Sequence, residues 1–294
     1  MSNVPIEDGG TVLAFLNEVA GGRKLLNEIR ARVDAGAGHV VLVAPQNQPV
    51  VGQIVDTGEV YEAALSRVEV TQQVLEDFGI EATATVMDPD SLLALDDGVR
   101  AYKPGEVLIS SLPETRLGFA RKDLIEWAKA RFDVPVTHVP VRIEDDAVRW
   151  DVTHTLVVAT QTVNAPDLVA RLIALHKESP HRYTFVSPAS GDAPREEVCD
   201  RLASTLAALY KEEIDATGQP MSPEPYAAVK NAVEHYRVDD ILISTFAGRS
   251  SMWLEDGLIE QVKELTDKPI EHFESSGGSQ AGVPAPAVAQ KVGA

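Results

Sequence analysis

Residues 105–139 read GEVLISSLPETRLGFARKDLIEWAKARFDVPVTHV, and residues 239–273 read DDILISTFAGRSSMWLEDGLIEQVKELTDKPIEHF. Under one fixed shift the two align without a gap. Leu108, Ile109 and Ser110 fall on Leu242, Ile243 and Ser244. Leu124, Ile125, Glu126 and Lys129 fall on Leu258, Ile259, Glu260 and Lys263, and Asp133, Pro135 and His138 on Asp267, Pro269 and His272. The same shift carries Met87, Pro89 and Tyr102 to Met221, Pro223 and Tyr236. A period this long exceeds the roughly 20–50 residues of solenoid repeats, so it marks two whole domains of one fold.

Working outward, each repeat alternates short β-rich runs with helical patterns. In the first, strands are expected at Val12–Leu16, His39–Ala44, Glu81–Met87, Val107–Ser111 and Val136–Val139. The run HVVLVA (39–44) is continuously apolar, as in a strand buried on both faces of a parallel sheet. Helices are expected at Arg23–Val33, at Glu59–Phe78 with Gly79 as its C-cap, from Asp88-Pro89-Asp90 to Tyr102, and at Asp123–Phe132. In the second repeat the strands are Leu156–Thr160, Tyr183–Ser187, a short Gln219–Met221, Ile241–Thr245 and Ile270–Phe273. Its helices are Pro166–His176, Arg195–Thr217 closed by Gly218, Pro225–Tyr236 and Leu254–Leu265. Such alternation predicts an α/β fold of two tandem five-stranded parallel-sheet domains with right-handed crossovers, Rossmann-like in arrangement. The expected boundaries are 9–143 for the first domain, 144–153 for a charged linker, 154–273 for the second domain and 274–294 for a tail. That tail, rich in Gly, Ser, Pro and Ala, is expected to be disordered.

Composition narrows the function. The formal charge is −19, which disfavours nucleic acid and anionic lipid as partners. No apolar run is long enough for a membrane span. The acidic start MSNVPIEDGG lacks the basic-then-apolar pattern of a secretory signal. The single cysteine, Cys199, allows neither an internal disulfide nor a cysteine zinc cage. Together these point to a reducing cytoplasm.

A doubled five-stranded α/β unit with Ser or Thr ending strand four (VLISSL, ILISTF) and Pro opening strand five (DVPVTHV, DKPIEHF) resembles the universal stress protein family. That family belongs to the adenine-nucleotide alpha-hydrolase-like superfamily, with the class I aminoacyl-tRNA synthetases and the PP-loop ATP pyrophosphatases. GIEATATVMDPDSLLAL, TVLAFLNEVAGG and HTLVVATQTVNAP extend the resemblance over nearly all of residues 11–273. It implies a stress-response role, pairing of the two domains as an internal pseudo-dimer like the family's dimers, and ligands at the C-terminal strand ends. ATP-binding members carry Gly-x-x-Gly, nine residues, then Gly-Ser or Gly-Thr after strand four. Here residues 112–118 read LPETRLG and 246–253 read FAGRSSMW, so the pattern is broken in both repeats and more so in the first. The family's aspartate on the first strand is absent, with Asn17 and Gln161 near its place.

The candidate ligand positions that follow are Asn17, Ala44, Ser110 and Ser111 in the first repeat. In the second they are Gln161, Ser187, Ser244, Thr245, Gly248, Arg249, Ser250 and Ser251. Arg249, Ser250 and Ser251 form an anion pocket on one reading and a plain helix cap on the other. Trp253, aligned with Phe119, covers a ligand or staples a helix start. His138 and His272 share a position on the last strand, where the family often dimerises. No elbow, P-loop or spaced metal-ligand set is present, so no catalytic residue and no metal is expected. ATP or another adenine nucleotide is a candidate cofactor for the second domain only. The reading is a non-catalytic stress-response or regulatory protein, monomeric or homodimeric, with a protein partner of unknown kind. Two alternatives stand beside it: a nucleotide-acting enzyme of the same superfamily, and a ligand-free interaction module.

Overall fold

A computed structural model describes residues 10–17, 20–47, 57–111, 118–141, 152–188, 194–221, 224–248 and 257–276. In the first repeat the elements are β1 (Thr11–Leu16), α1 (Arg23–Asp34), β2 (His39–Pro45), α2 (Thr57–Asp77), β3 (Ala82–Met87), α3 (Ser91–Tyr102), β4 (Glu106–Ser111), α4 (Gly118–Arg131) and β5 (Val136–Pro140). In the second they are β6 (Thr153–Val158), α5 (Pro166–Glu178), β7 (His181–Pro188), α6 (Arg195–Lys211), β8 (Ala216–Met221), α7 (Pro225–His235), β9 (Asp240–Phe246), α8 (Leu258–Leu265) and β10 (Ile270–Ser275). All pairings are parallel, in the orders β3-β2-β1-β4-β5 and β8-β7-β6-β9-β10. The two sheets have one topology, the doubly wound α/β arrangement.

Helices cover both faces of each sheet, which is why the central strands read as unbroken apolar runs. Val12, Ala14, Val40 and Leu42 pack towards α1 and α2. Leu13, Phe15, Val41 and Val43 pack towards α3 and α4. The period-2 alternation of a strand does this sorting. In the second repeat, Leu156, Val158, Ile241 and Ile243 meet α7 and α8.

The remaining layer makes the chain one body. Val68, Val74 and Leu75 of α2 share a single buried cluster with Cys199, Leu202 and Leu206 of α6. Equivalent helices thus meet across the seam, as in an isologous dimer. Both are buried on more than one side, since each also covers its own sheet. Arg195 on α6 bridges Glu69 and, at 2.6 Å, Glu62 on α2. Arg23 at the start of α1 reaches Asp215 at 2.6 Å.

Strand register fixes the equivalence of the repeats residue by residue. Glu106 pairs with Val12, and Asp240 with Thr155. The shift is therefore 134 residues for β4 and β9 but 143 for β1 and β6. The extra nine residues of the first repeat lie between β2 and α2. From α2 onward the 134-residue shift holds: Asp90 caps α3 and Glu224 caps α7, each accepting two backbone N–H groups.

Several expectations are corrected. α6 does not run to Thr217, and Gly218 does not close it. The helix ends at Lys211, Glu213 takes the left-handed conformation (φ 61°), and Ile214 N–H bonds Leu209 O at 3.0 Å. Glu213 is the counterpart of Gly79, which has φ 74° and closes α2 as expected. Gly218 instead lies in the middle of β8, a full six-residue strand, and a Cβ there would stand 2.7 Å from Phe185 Cβ. β6 starts at Thr153 and β10 reaches Ser275, so the strands extend into the expected linker and tail. The rest of the linker from 144 to 151, and the tail from 277, lie outside the described residues. Among the described residues no helix is long and apolar enough to cross a membrane.

Candidate functional site

In an open parallel sheet the carboxyl ends of the strands, where the chain order reverses, form a crevice edged by helix N-termini. In each repeat the order reverses between the first and fourth strands. Asn17, Ala44 and Ser110 in the first repeat, and Ser187 and Ser244 in the second, lie at those strand ends, but the two repeats differ there.

In the first repeat the crevice is filled from within. Arg67 on α2 is only 1% exposed. Its Nη1 donates to Leu16 O (3.0 Å), Asn17 O (2.9 Å) and Asn47 Oδ1 (3.1 Å). Asn47 Nδ2 donates to Asn17 O at 2.8 Å, and Ser91 Oγ to Asn17 Oδ1 at 2.9 Å. Asn17 N–H donates to Ser110 O at 3.1 Å. Asn17 is thereby engaged at its amide, carbonyl and side chain. A buried guanidinium needs such acceptors, because an unpaired one would be costly.

In the second repeat Arg201 stands at the place of Arg67, and among the described residues no hydrogen bond ties its guanidinium to the strand ends. It pairs with Glu197 on its own helix. At the strand ends, Ser187, Ala159 and Ser244 form one level across β7, the end of β6, and β9, as the register of Val158 with Val186 and Ile243 requires. The matching level in the first repeat is Ala44, Leu16 and Ser110. Ser187 is 0% exposed and Ser244 2%, and neither hydroxyl has a hydrogen-bond partner among the described residues. Ser110 Oγ has none either, but it lies beside Leu16 rather than alanine. Buried polar groups are ordinarily satisfied, so two such hydroxyls at one level are the exception that needs an explanation.

Around this row the backbone is tied down. Thr162 Oγ1 donates to Ser244 O at 3.2 Å, Thr160 Oγ1 to Pro188 O at 2.9 Å, and Thr205 Oγ1 to Val163 O at 2.8 Å. Asp167, at the start of α5, accepts from Ser275 Oγ, Ser276 N and Ser276 Oγ at 2.6–2.7 Å. Burial pushes its carboxyl up, but those hydrogen bonds outweigh burial and hold it below the usual range. Gly248 turns the chain after β9 with φ 65° and open space where a Cβ would stand. Gln161 is exposed in the turn after β6. Arg249, Ser250, Ser251 and Trp253, and Leu112–Leu117 in the first repeat, lie outside the described residues.

Ser111 and Thr245 face away from this row. Ser111 Oγ stands 2.9 Å from His138 Nε2, and Thr245 Oγ1 stands 2.8 Å from His272 Nε2. The matched histidines are therefore partners of matched hydroxyls on the neighbouring strand. Among the described residues no cluster of three or more ligating side chains could hold a metal.

Arg67, Asn47, Ser91 and Thr162 were not singled out from the sequence. One signal for Arg67 was present. It lies at core spacing in α2 among Ala64, Val68, Thr71 and Val74, where a charged residue is out of place. The Leu16-to-Ala159 change became visible only when strand register supplied the second shift.

No family model matches the chain, and no curated protein matches it. Twelve chains of known structure do. One is a universal stress protein from Archaeoglobus fulgidus DSM 4304, 16% identical, with a TM-score of 0.37, covering 92% of this chain and 98% of that one.

Proposed function

We propose that this chain is a non-catalytic regulatory protein of the universal stress type. It acts in the reducing cytoplasm and senses a small phosphate-bearing ligand, an adenine nucleotide first among them, in the strand-end crevice of its second repeat. The observation that carries the reading is the row Ser187–Ala159–Ser244, where two buried hydroxyls lack partners and alanine replaces the leucine of the first repeat. Ligand oxygens would satisfy both hydroxyls. The open left-handed turn at Gly248 lets backbone approach a phosphate closely. Arg249, Ser250 and Ser251 follow directly in the sequence and would add a charge and two hydroxyls. The first repeat serves as a filled partner domain, its crevice closed by Arg67.

Calorimetric titration of ATP, ADP, AMP and cyclic nucleotides tests this. One of them should bind with one site per chain, and Arg249→Ala should weaken it about tenfold or more, as expected for a charge-assisted contact. Absence of binding across the panel would favour an interaction module instead.

A further inference from the structure

A cavity of about 290 Å³ opens at the opposite end of the second sheet, at its seam with the first repeat. Arg23 and Val141 of the first repeat form one wall. The N-terminal ends of β6, β7 and β8, with the segments leading into them and His176 in the last turn of α5, form the rest. Three of the chain's seven histidines line it, in a molecule of net charge −19. This is not a property inherited with the fold. Register places His154, His176, His181 and Arg182 where the first repeat has Thr11, Val33, Gly38 and His39.

The lining presents donors that the protein does not use. Arg23 spends Nε on Asp215, and its terminal nitrogens carry no hydrogen bond among the described residues. Thr217 is 5% exposed, and its hydroxyl has no partner. His176 Nδ1 stands 2.8 Å from His181 O, and His181 Nδ1 stands 2.7 Å from Ser179 O. His181 Nδ1–H is thus spent on a carbonyl, whereas His176 Nδ1 also accepts the His181 backbone N–H at 3.1 Å, so its tautomer is not fixed at Nδ1; among the described residues neither Nε2 has a partner. His154 differs: Nδ1 donates to Arg237 O at 2.7 Å and Nε2 meets Thr184 Oγ1 at 2.8 Å.

We infer that this cavity binds a small oxyanion, held by the outer edge of the Arg23 guanidinium, the Thr217 hydroxyl and the Nε2 atoms of His176 and His181. The neutral His181 ring, already donating through Nδ1, offers only a lone pair at Nε2, so it becomes a donor to an anion by taking up a proton. Binding is therefore coupled to protonation. The other charged groups facing these rings are Arg182 on β7, Glu213 and Asp215 ahead of β8, and Asp240 on β9, with the neutral phenol of Tyr183 beside them. Asp215 is already paired with Arg23.

The test is calorimetric titration of the full chain with sulfate, whose charge is constant over the range, at pH 5.5, 6.5 and 7.5 and fixed ionic strength. One saturable site per chain is expected, tightening as pH falls by up to about tenfold per pH unit for each proton taken up. The pair His176→Gln and His181→Gln should flatten that pH dependence, and the near-isosteric Thr217→Val should weaken binding at pH 5.5. Ser187→Val, at the far end of the strands, should leave it unchanged. No saturable binding at pH 5.5, or binding indifferent to both sets of cavity variants, would overturn the assignment. Loss of sulfate in Ser187→Val would place the anion in the other crevice and overturn it too.

Discussion

Arg67 Nη1 donates to the carbonyl of Asn17 at 2.9 Å, deep in the strand-end crevice of the first repeat, whereas its counterpart Arg201 turns to Glu197 on its own helix. One helical position thus closes one crevice and leaves the other without that closure.

Arg67→Met should remove the buried donor shared by Leu16 O, Asn17 O and Asn47 Oδ1, leaving Asn17 O only its bond from Asn47 Nδ2, a loss of about 1–3 kcal/mol. Arg201→Met removes a half-buried pair with Glu197, with Arg201 Nη1 buried and unpartnered among the described residues, and should cost less than Arg67→Met, about 1 kcal/mol or less. Urea unfolding of the two variants side by side measures the difference. Equal losses would show that Arg67 does not hold the first crevice together.

The left-handed position after the long helix is filled by Gly79 in one repeat and by Glu213 in the other. A side chain in that conformation costs roughly 1–2 kcal/mol. Glu213→Gly should therefore raise the melting temperature, and Gly79→Ala should lower it. Opposite signs are the content of the prediction, and like signs would refute it.

Much of this was legible in the sequence. Apolar runs and helical spacing located all ten strands and the order of helices between them, because burial on both faces leaves a strong pattern. The errors cluster at Gly218. A glycine after a helical run reads as a cap, but this one is needed for close packing against Phe185 and Leu202. The true cap is a glutamate, invisible to residue preference and recoverable only through the repeat shift. The site was legible as a level in the fold, since Ser187 and Ser244 end strands. It was not legible as a contrast between repeats, because that rests on where Arg67 and Arg201 direct their side chains.

Cys199 lies in the α2–α6 seam, where burial pushes its thiol up to about 12. A neutral buried thiol should resist alkylation at pH 8 in the native protein and react once the helices part. The raised value also has a sign for stability. Its contribution is full below the ordinary thiol value of 9.0 and is lost as pH rises towards about 12. Alkylation monitored along a urea series should track separation of the seam. Rapid reaction under native conditions would mean that the seam opens freely.

Hydrogen exchange with and without a bound nucleotide tests the central claim most directly. Protection should rise at residues 158–164, 185–188 and 244–248, around Ser187 and Ser244, and stay unchanged at 15–17, 44–47 and 109–111, around Arg67. Protection confined to the first repeat's crevice, or equal in both, would contradict the account.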